Sequence, residues 1–354
     1  MLGVEKMSGF GVTVLLLFII FAGLAFALTN GLHDASSVVA TFISCGAATP
    51  KQAIALASAF GLLGAVFGGN GVADTVSGVI DLPTQPALLG VLLAAIVGAT
   101  AWNLITWKLG LPSSSTHALI GGIIGAVMVS HGAQHVSWGL SELFQSPHEL
   151  TGIVKVVAFL LISPALGFVL AFLLGHLSKL LLRNARFSIN RWLKNVQWLI
   201  SALLAYNHGA NDTQKITGLI TLALAAAAGN TMGTAPLWVR ICGGSVMFAG
   251  TLLGGWSIMK TIGSRIYKLK PIHSLNSQLS AAGSVFAANL LGAPVSTTHV
   301  VVGSVMGVGA ADRFKLVNWA IAKEIMAAWI ITIPLSGALS AVIYLLLSLI
   351  PNFQ

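Results

Sequence analysis

Charge is what this sequence most lacks. Of 354 residues only 8% are Asp, Glu, Lys or Arg, against about a quarter in an ordinary soluble domain. So few charges cannot cover the two soluble domains that the length allows, and a disordered chain or a coiled coil is excluded with them. Cysteine is almost absent too. Cys45 and Cys242 both lie in apolar runs; they exclude a disulfide scaffold and read as small buried hydrophobes. No G-x-x-x-x-G-K-[ST] occurs, which excludes a P-loop ATPase. His148-Glu149 lacks the second histidine of H-E-x-x-H, and no G-x-S-x-G elbow supports a hydrolytic triad. An intramembrane hydrolase is thus a weak reading, and neither an enzyme nor a cofactor is expected.

Apolar sequence is what the chain has in plenty. Hydrophobic types make up 56% and the mean hydropathy is +0.90. The runs are continuous and about 20 residues long, which suits membrane helices and not the two-residue alternation of a barrel. Eighteen Lys and Arg minus nine Asp and Glu leave +9. The basic residues sit in short loops, so they read as positive-inside topology and contact with anionic lipid, not nucleic acid. Residues 15–26 resemble a signal-peptide core with Ala25-Phe26-Ala27 as a cleavage site, but Glu5 and Lys6 cancel in the flank, which favours a retained first helix.

The sequence repeats itself. Asn30-Gly31-Leu32-His33-Asp34 returns as His208-Gly209-Ala210-Asn211-Asp212. Gly68-Gly69-Asn70 is echoed by Gly254-Gly255-Trp256. Leu111-Pro112-Ser113-Ser114-Ser115-Thr116-His117 returns as Ala293-Pro294-Val295-Ser296-Thr297-Thr298-His299. Asp34 to His117 is 83 positions and Asp212 to His299 is 87. The chain therefore divides into a first repeat (1–178), a basic linker (179–194) and a second repeat (195–354). The linker carries Lys179, Arg183, Arg186, Arg191 and Lys194, which places it in the cytoplasm. Matched loops are basic in one half and not in the other, the pattern of an inverted-topology repeat. The fold class expected is an all-α polytopic membrane protein with broken or re-entrant helices and about ten crossings. These fall near 9–47 (interrupted), 53–72, 86–107, 112–130, 153–178, 197–228 (interrupted), 237–259, 279–292, 295–310 and 325–350. Five per half leaves both termini extracytoplasmic. The short pair 279–292 and 295–310 can instead form a hairpin that enters and leaves on one side.

Two constellations carry chemistry. Asp34 and Asp212 are acids inside apolar runs, where a charge costs at least a few kcal/mol and needs a cavity or a partner. Beside Gly31 and Gly209, which allow unwinding, they suit sodium or a proton; alternatively each caps a broken helix. The second constellation is Ser114, Ser115 and Thr116 with Ser296, Thr297 and Thr298. Following prolines, they predict two helix starts whose N–H groups and dipoles attract a small oxyanion; alternatively the hydroxyls bond their own helices. His117 and His299 are either donors to the anion or packed imidazoles. Lys215 either neutralises Asp212 on the same helix face, reaches an anion, or snorkels. Asn103 and Asn289 line the cavity or bridge helices, and Gly61, Gly64 and Gly68 provide close packing.

At these residues the chain resembles the inorganic phosphate transporter (PiT) family, whose two signatures centre on G-A-N-D. The second copy is close: His208-Gly209-Ala210-Asn211-Asp212-Thr213-Gln214-Lys215. The turn Pro294 to His299, with Pro112 to His117 as its first copy, is similar too. The resemblance implies phosphate uptake coupled to sodium or protons, with Asp34, Asn211 and Asp212 in cation sites and Ser114, Ser115, Thr116, Ser296, Thr297 and Thr298 on phosphate. The first signature departs from the pattern, with Leu32 for Ala and His33 for Asn. An imidazole titrates near neutrality, which favours proton coupling through His33 and Asp34. A sulfate permease of the same architecture and an uncoupled anion channel are the rivals. A scaffold or receptor is disfavoured by the scarcity of extramembrane sequence. The expected partners are inorganic phosphate and membrane lipid; a homo-oligomer is left open.

Overall fold

The computed structural model describes residues 9–111, 113–231, 233–253 and 259–350. The sequence features at Glu5-Lys6, Pro112 and Gly254-Gly255-Trp256 lie outside the described residues. Among the described residues there is no strand, only an isolated bridge between Ile80 and Val136. The helices are α1 (Gly9–Ser44), α2 (Pro50–Phe67), α3 (Gly71–Ser77), α4 (Leu88–Lys108), α5 (Ser115–Ser130), α6 (Leu140–Phe144), α7 (Gly152–Leu181), α8 (Ile189–Ala228), α9 (Leu237–Leu253), α10 (Pro271–Leu290), α11 (Thr297–Arg313) and α12 (Trp319–Leu347). Every predicted segment finds a helix; α3 and α6 are short additions. By length and apolarity α1, α2, α4, α7 and α12 can each cross a bilayer.

The helix starts follow from local chemistry. Thr49 caps α2 by accepting from the Gln52 N–H at 3.4 Å, while the Gln52 amide oxygen accepts from the Thr49 N–H at 3.0 Å; Pro50 stands in the first turn. Ser114 and Ser296 hold extended backbone, and their hydroxyls accept from the N–H of His117 at 3.2 Å and of His299 at 3.4 Å.

Three expectations are corrected. The interruptions at Gly31 and Gly209 do not occur. α1 is one helix of 36 residues and α8 one of 40, about 54 and 60 Å long at 1.5 Å per residue. These glycines serve approach, not unwinding. A Cβ at Gly31 would strike the Met247 carbonyl of α9, and one at Gly209 the Gly61 carbonyl of α2. The segment expected at 279–292 begins at Pro271. Hydropathy misses its first turns because their polar side chains are buried against protein: Ser274 donates to the Thr41 carbonyl at 2.7 Å, Ser201 to Gln278 at 3.0 Å, and Ser280 to the Gly167 carbonyl at 2.7 Å. Cys45 is buried as expected, but Cys242 is exposed on the outer face of α9.

Packing interleaves the chain. α1 lies against α9 and α2 against α8; α5 lies against α12 and α7 against α11; α4–α5 and α10–α11 form hairpins. Lipid tails are as apolar as leucine, so such contacts depend on small residues that let backbones meet. Gly64 abuts Tyr206, Gly250 abuts Leu28, Gly125 abuts Gly337 and Gly303 abuts Pro164. Two apolar cores result. One holds Ile19, Phe26, Leu89 and Ile123, the other Phe42, Leu204, Val285 and Val301. Asp34 lies on α1 between Phe26 and Phe42, and so between the cores.

Candidate ion and anion site

α1, α8 and the starts of α5 and α11 meet at this polar centre. Asp34 is buried. Thr298 of α11 donates to its Oδ1 at 2.7 Å, and Ser115 of α5 donates to its Oδ2. Ser115 also lies 2.9 Å from Asn30 Oδ1, and Thr298 lies 3.3 Å from Ser37 Oγ. Hydroxyls from both Ser/Thr turns therefore converge on one carboxylate. His33 Nδ1 stands 3.9 Å from Oδ1. Among the described residues no group of three or more His, Cys, Asp and Glu is arranged for a metal ion. A cation here would rest on carboxylate, amide and hydroxyl oxygens, the hard donors suited to sodium.

Asp212 has a different environment. Its Oδ1 accepts from Lys215 Nζ at 2.6 Å, both side chains being 1% exposed. The same ammonium donates to Thr116 Oγ1 at 2.6 Å and to the Val295 carbonyl at 2.7 Å, which uses its three protons. Lys215 thus neutralises Asp212 and does not snorkel. Thr116 in turn donates to the Val295 carbonyl at 3.1 Å, tying the start of α5 to the turn before α11. The other oxygen, Asp212 Oδ2, has no hydrogen-bond partner among the described residues; His208 Nδ1 stands 3.6 Å away.

The residues matched by the repeat do matched work. Asn211 donates to Asn289 Oδ1 at 2.7 Å and to the Ala293 carbonyl at 3.0 Å, and accepts from the Val295 N–H at 3.1 Å. His33 Nε2 lies 3.2 Å from Thr106 Oγ1 and 3.4 Å from Ser113 Oγ. Each side chain therefore secures the turn of its own half. Asn289 donates to the Asn207 carbonyl at 3.0 Å, and Asn103 donates to Thr29 at 3.4 Å, so both bridge helices. Thr297 lies 3.2 Å from His208 Nδ1. Ser114 and Ser296 are engaged as caps. His117 and His299 are not part of this cluster's bonding; their rings pair with each other, centroids 4.7 Å apart.

Sequence reasoning missed several participants. Asn30 and His208 are matched repeat positions one helical turn before the aspartates, and that spacing was the available signal. Gln214 bridges the Gly68 carbonyl at 2.9 Å and the Val72 N–H at 3.0 Å, fixing α3 on α8. Thr106 had no motif to betray it, and Ser113, though within the repeated turn, is matched by the apolar Val295 in the second copy.

Comparison with known proteins bears on the family and the fold. The model of the phosphate transporter family matches twice, over residues 30–193 and 183–340. The chain is 38% identical over 340 residues to a protein of Bacillus subtilis (strain 168) named "probable low-affinity inorganic phosphate transporter", covering 95% of this chain and 98% of that one. It is 38% identical over 337 residues to a Rhizobium meliloti (strain 1021) protein of the same name, covering 93% and 96%. A solved structure titled "The sodium-dependent phosphate transporter" superposes with a TM-score of 0.85 at 25% identity, over 95% of this chain and all of that one.

Proposed function

The chain belongs to the phosphate transporter family, a family of multi-pass membrane transporters and not of enzymes, and on that basis we propose that it imports inorganic phosphate by cation symport, with Asp34 as the coupling group. The observation that carries the reading is the donation of both Ser115 and Thr298 to Asp34. A hydroxyl has one proton to donate. While Asp34 is a bare carboxylate, it holds both. A sodium ion or a proton at Asp34 competes for that carboxylate and releases the hydroxyls to an incoming oxyanion. Cation and anion then raise each other's affinity, as linkage requires. Bringing in a cation also offsets the cost of moving a negative charge toward a negative interior, about 2.3 kcal/mol per charge per 100 mV. In the second half the Lys215 ammonium takes the place that sodium would otherwise have at Asp212.

The two halves, 1–178 and 195–354, are read as inverted repeats joined by a cytoplasmic linker, 179–194, with both termini extracytoplasmic. The packing supports this: exchanging the halves converts the α1–α9 contact into α8–α2 and the α5–α12 contact into α11–α7. The bundle of α1, α2, α8 and α9 is then a rocking unit drawn from both halves, with the hairpin tips as its partner. Phosphate is favoured over sulfate because Asp212 Oδ2 is an unused buried acceptor; phosphate has an O–H to give it, and sulfate does not. The test is labelled phosphate uptake into proteoliposomes under separately imposed sodium and proton gradients, with sulfate as competitor. Accumulation driven by one gradient and insensitive to sulfate is expected. Flux that neither gradient can drive uphill identifies a channel and overturns the proposal.

A further inference from the structure

A cavity of about 600 Å³ lies apart from the Asp34 centre, between α7 and α12. Its walls include Leu160, Pro164, Phe168, Met306, Trp329 and Ile333, and its floor is His117 and His299. Volume and lining are those of small-molecule sites, mostly apolar with a few placed polar groups. The rim residues Leu161, Val169, Met326 and Ile330 are all exposed, so the opening faces hydrocarbon. The floor is the unusual part. His299 is fully buried and stacks on Trp329 at 3.6 Å. Neither of its ring nitrogens has a hydrogen-bond partner among the described residues, and His117 Nδ1 has none. Buried polar groups are normally satisfied, and leaving them unsatisfied costs free energy.

We propose that this cavity binds a single-chain lipophile carrying one neutral hydroxyl, whose chain fills the apolar walls and whose O–H engages the two imidazoles. A neutral imidazole offers one donor and one acceptor, and a hydroxyl complements both. Depth excludes the ordinary phospholipid headgroup. Leu160 to Ala165 and Trp329 to Ile333 occupy the middle of two helices of membrane-spanning length, where a charged or zwitterionic head is strongly disfavoured. His117 and His299 directly follow Thr116 and Thr298, so the occupant braces both turns from the lipid side. The site is thereby suited to modulate transport without touching phosphate.

The probe is a long-chain alcohol bearing a diazirine on its chain, photolysed with the full-length protein in nanodiscs, the adducts being mapped by mass spectrometry. Saturable adducts are expected within 160–169 and 326–333, displaced by unlabelled alcohol but not by the alkane of equal length. Ala165→Phe, which fills the cavity from its lipid side, is expected to abolish them. His299→Phe keeps the stacked ring but removes both nitrogens, and is expected to weaken saturation about tenfold, the effect of one hydrogen bond. Adducts that do not saturate, that spread equally to the exposed Leu17, Phe18 and Phe21 of α1, or that persist in Ala165→Phe overturn the site. Equal displacement by the alkane overturns the hydroxyl. The readout is binding, so its failure leaves the transport reading intact.

Discussion

At the scale of residues, the two buried aspartates are not equivalent. Asp34 is held by hydroxyls and Asp212 by an ammonium, and substitution should separate them. Asp34→Asn removes the charge that holds Ser115 and Thr298. The variant should remain folded and bind phosphate without dependence on sodium or pH, yet fail to accumulate it. Calorimetric binding beside proteoliposome uptake checks both halves of that statement; gradient-driven accumulation at the normal rate would show that Asp34 is not the coupling group. Asp212→Asn strands the Lys215 ammonium, and Lys215→Gln strands the Asp212 carboxylate. Removing one partner of a buried pair costs about 3–5 kcal/mol. Each single variant should therefore melt well below the parent in detergent, while the double variant Asp212→Asn/Lys215→Gln recovers most of the loss. If the two single effects simply add, the pair is not coupled. The asymmetry was only half legible in sequence: the three-residue spacing put Lys215 on the face of Asp212, but nothing local revealed that Thr116 and Val295 would occupy its remaining protons.

At the scale of elements, glycine at Gly31 and Gly209 marks contact between helices. Gly31→Ala should wedge α1 from α9, and Gly209→Ala should wedge α8 from α2, each at about 1–3 kcal/mol as overpacking does. A lowered midpoint of thermal unfolding for both, with no such loss for Gly283→Ala, where a Cβ would meet nothing, checks this. The same glycines explain why the sequence misleads here. A glycine next to an acid in an apolar run reads as a break when only the run is considered, because the carbonyls that need the missing Cβ lie on another helix. α10 escapes hydropathy for a related reason. Its Ser274, Gln278 and Ser280 face Thr41, Ser201 and Gly167, so protein and not lipid is their solvent. The starts of α5 and α11 were readable, since a proline or serine at a helix start acts through its own backbone.

At the scale of the whole molecule, order along the chain was legible from the repeat, but interleaving was not, since no local pattern tells a helix to pack on its counterpart's neighbour. The proposed orientation is open to labelling. With exposed Cys242 replaced by alanine and Cys45 left buried, a cysteine placed in 179–194 should react with an impermeant maleimide only from the cytoplasmic side. One placed in 131–149 should react only from outside. Matching sidedness for both would refute the crossing by α7 and with it the proposed orientation.

Lys215 gives each of its protons to a neighbour, so the proposed mechanism assigns its ammonium to Asp212 and not to the transported charge. On that proposal Asp34 alone exchanges its counterion with water. One monovalent cation per turnover makes the passage of monobasic phosphate electrically silent, whereas the dibasic form carries one negative charge inward. The transport current is accordingly expected to vanish in acidic external medium and to emerge as the medium is made alkaline.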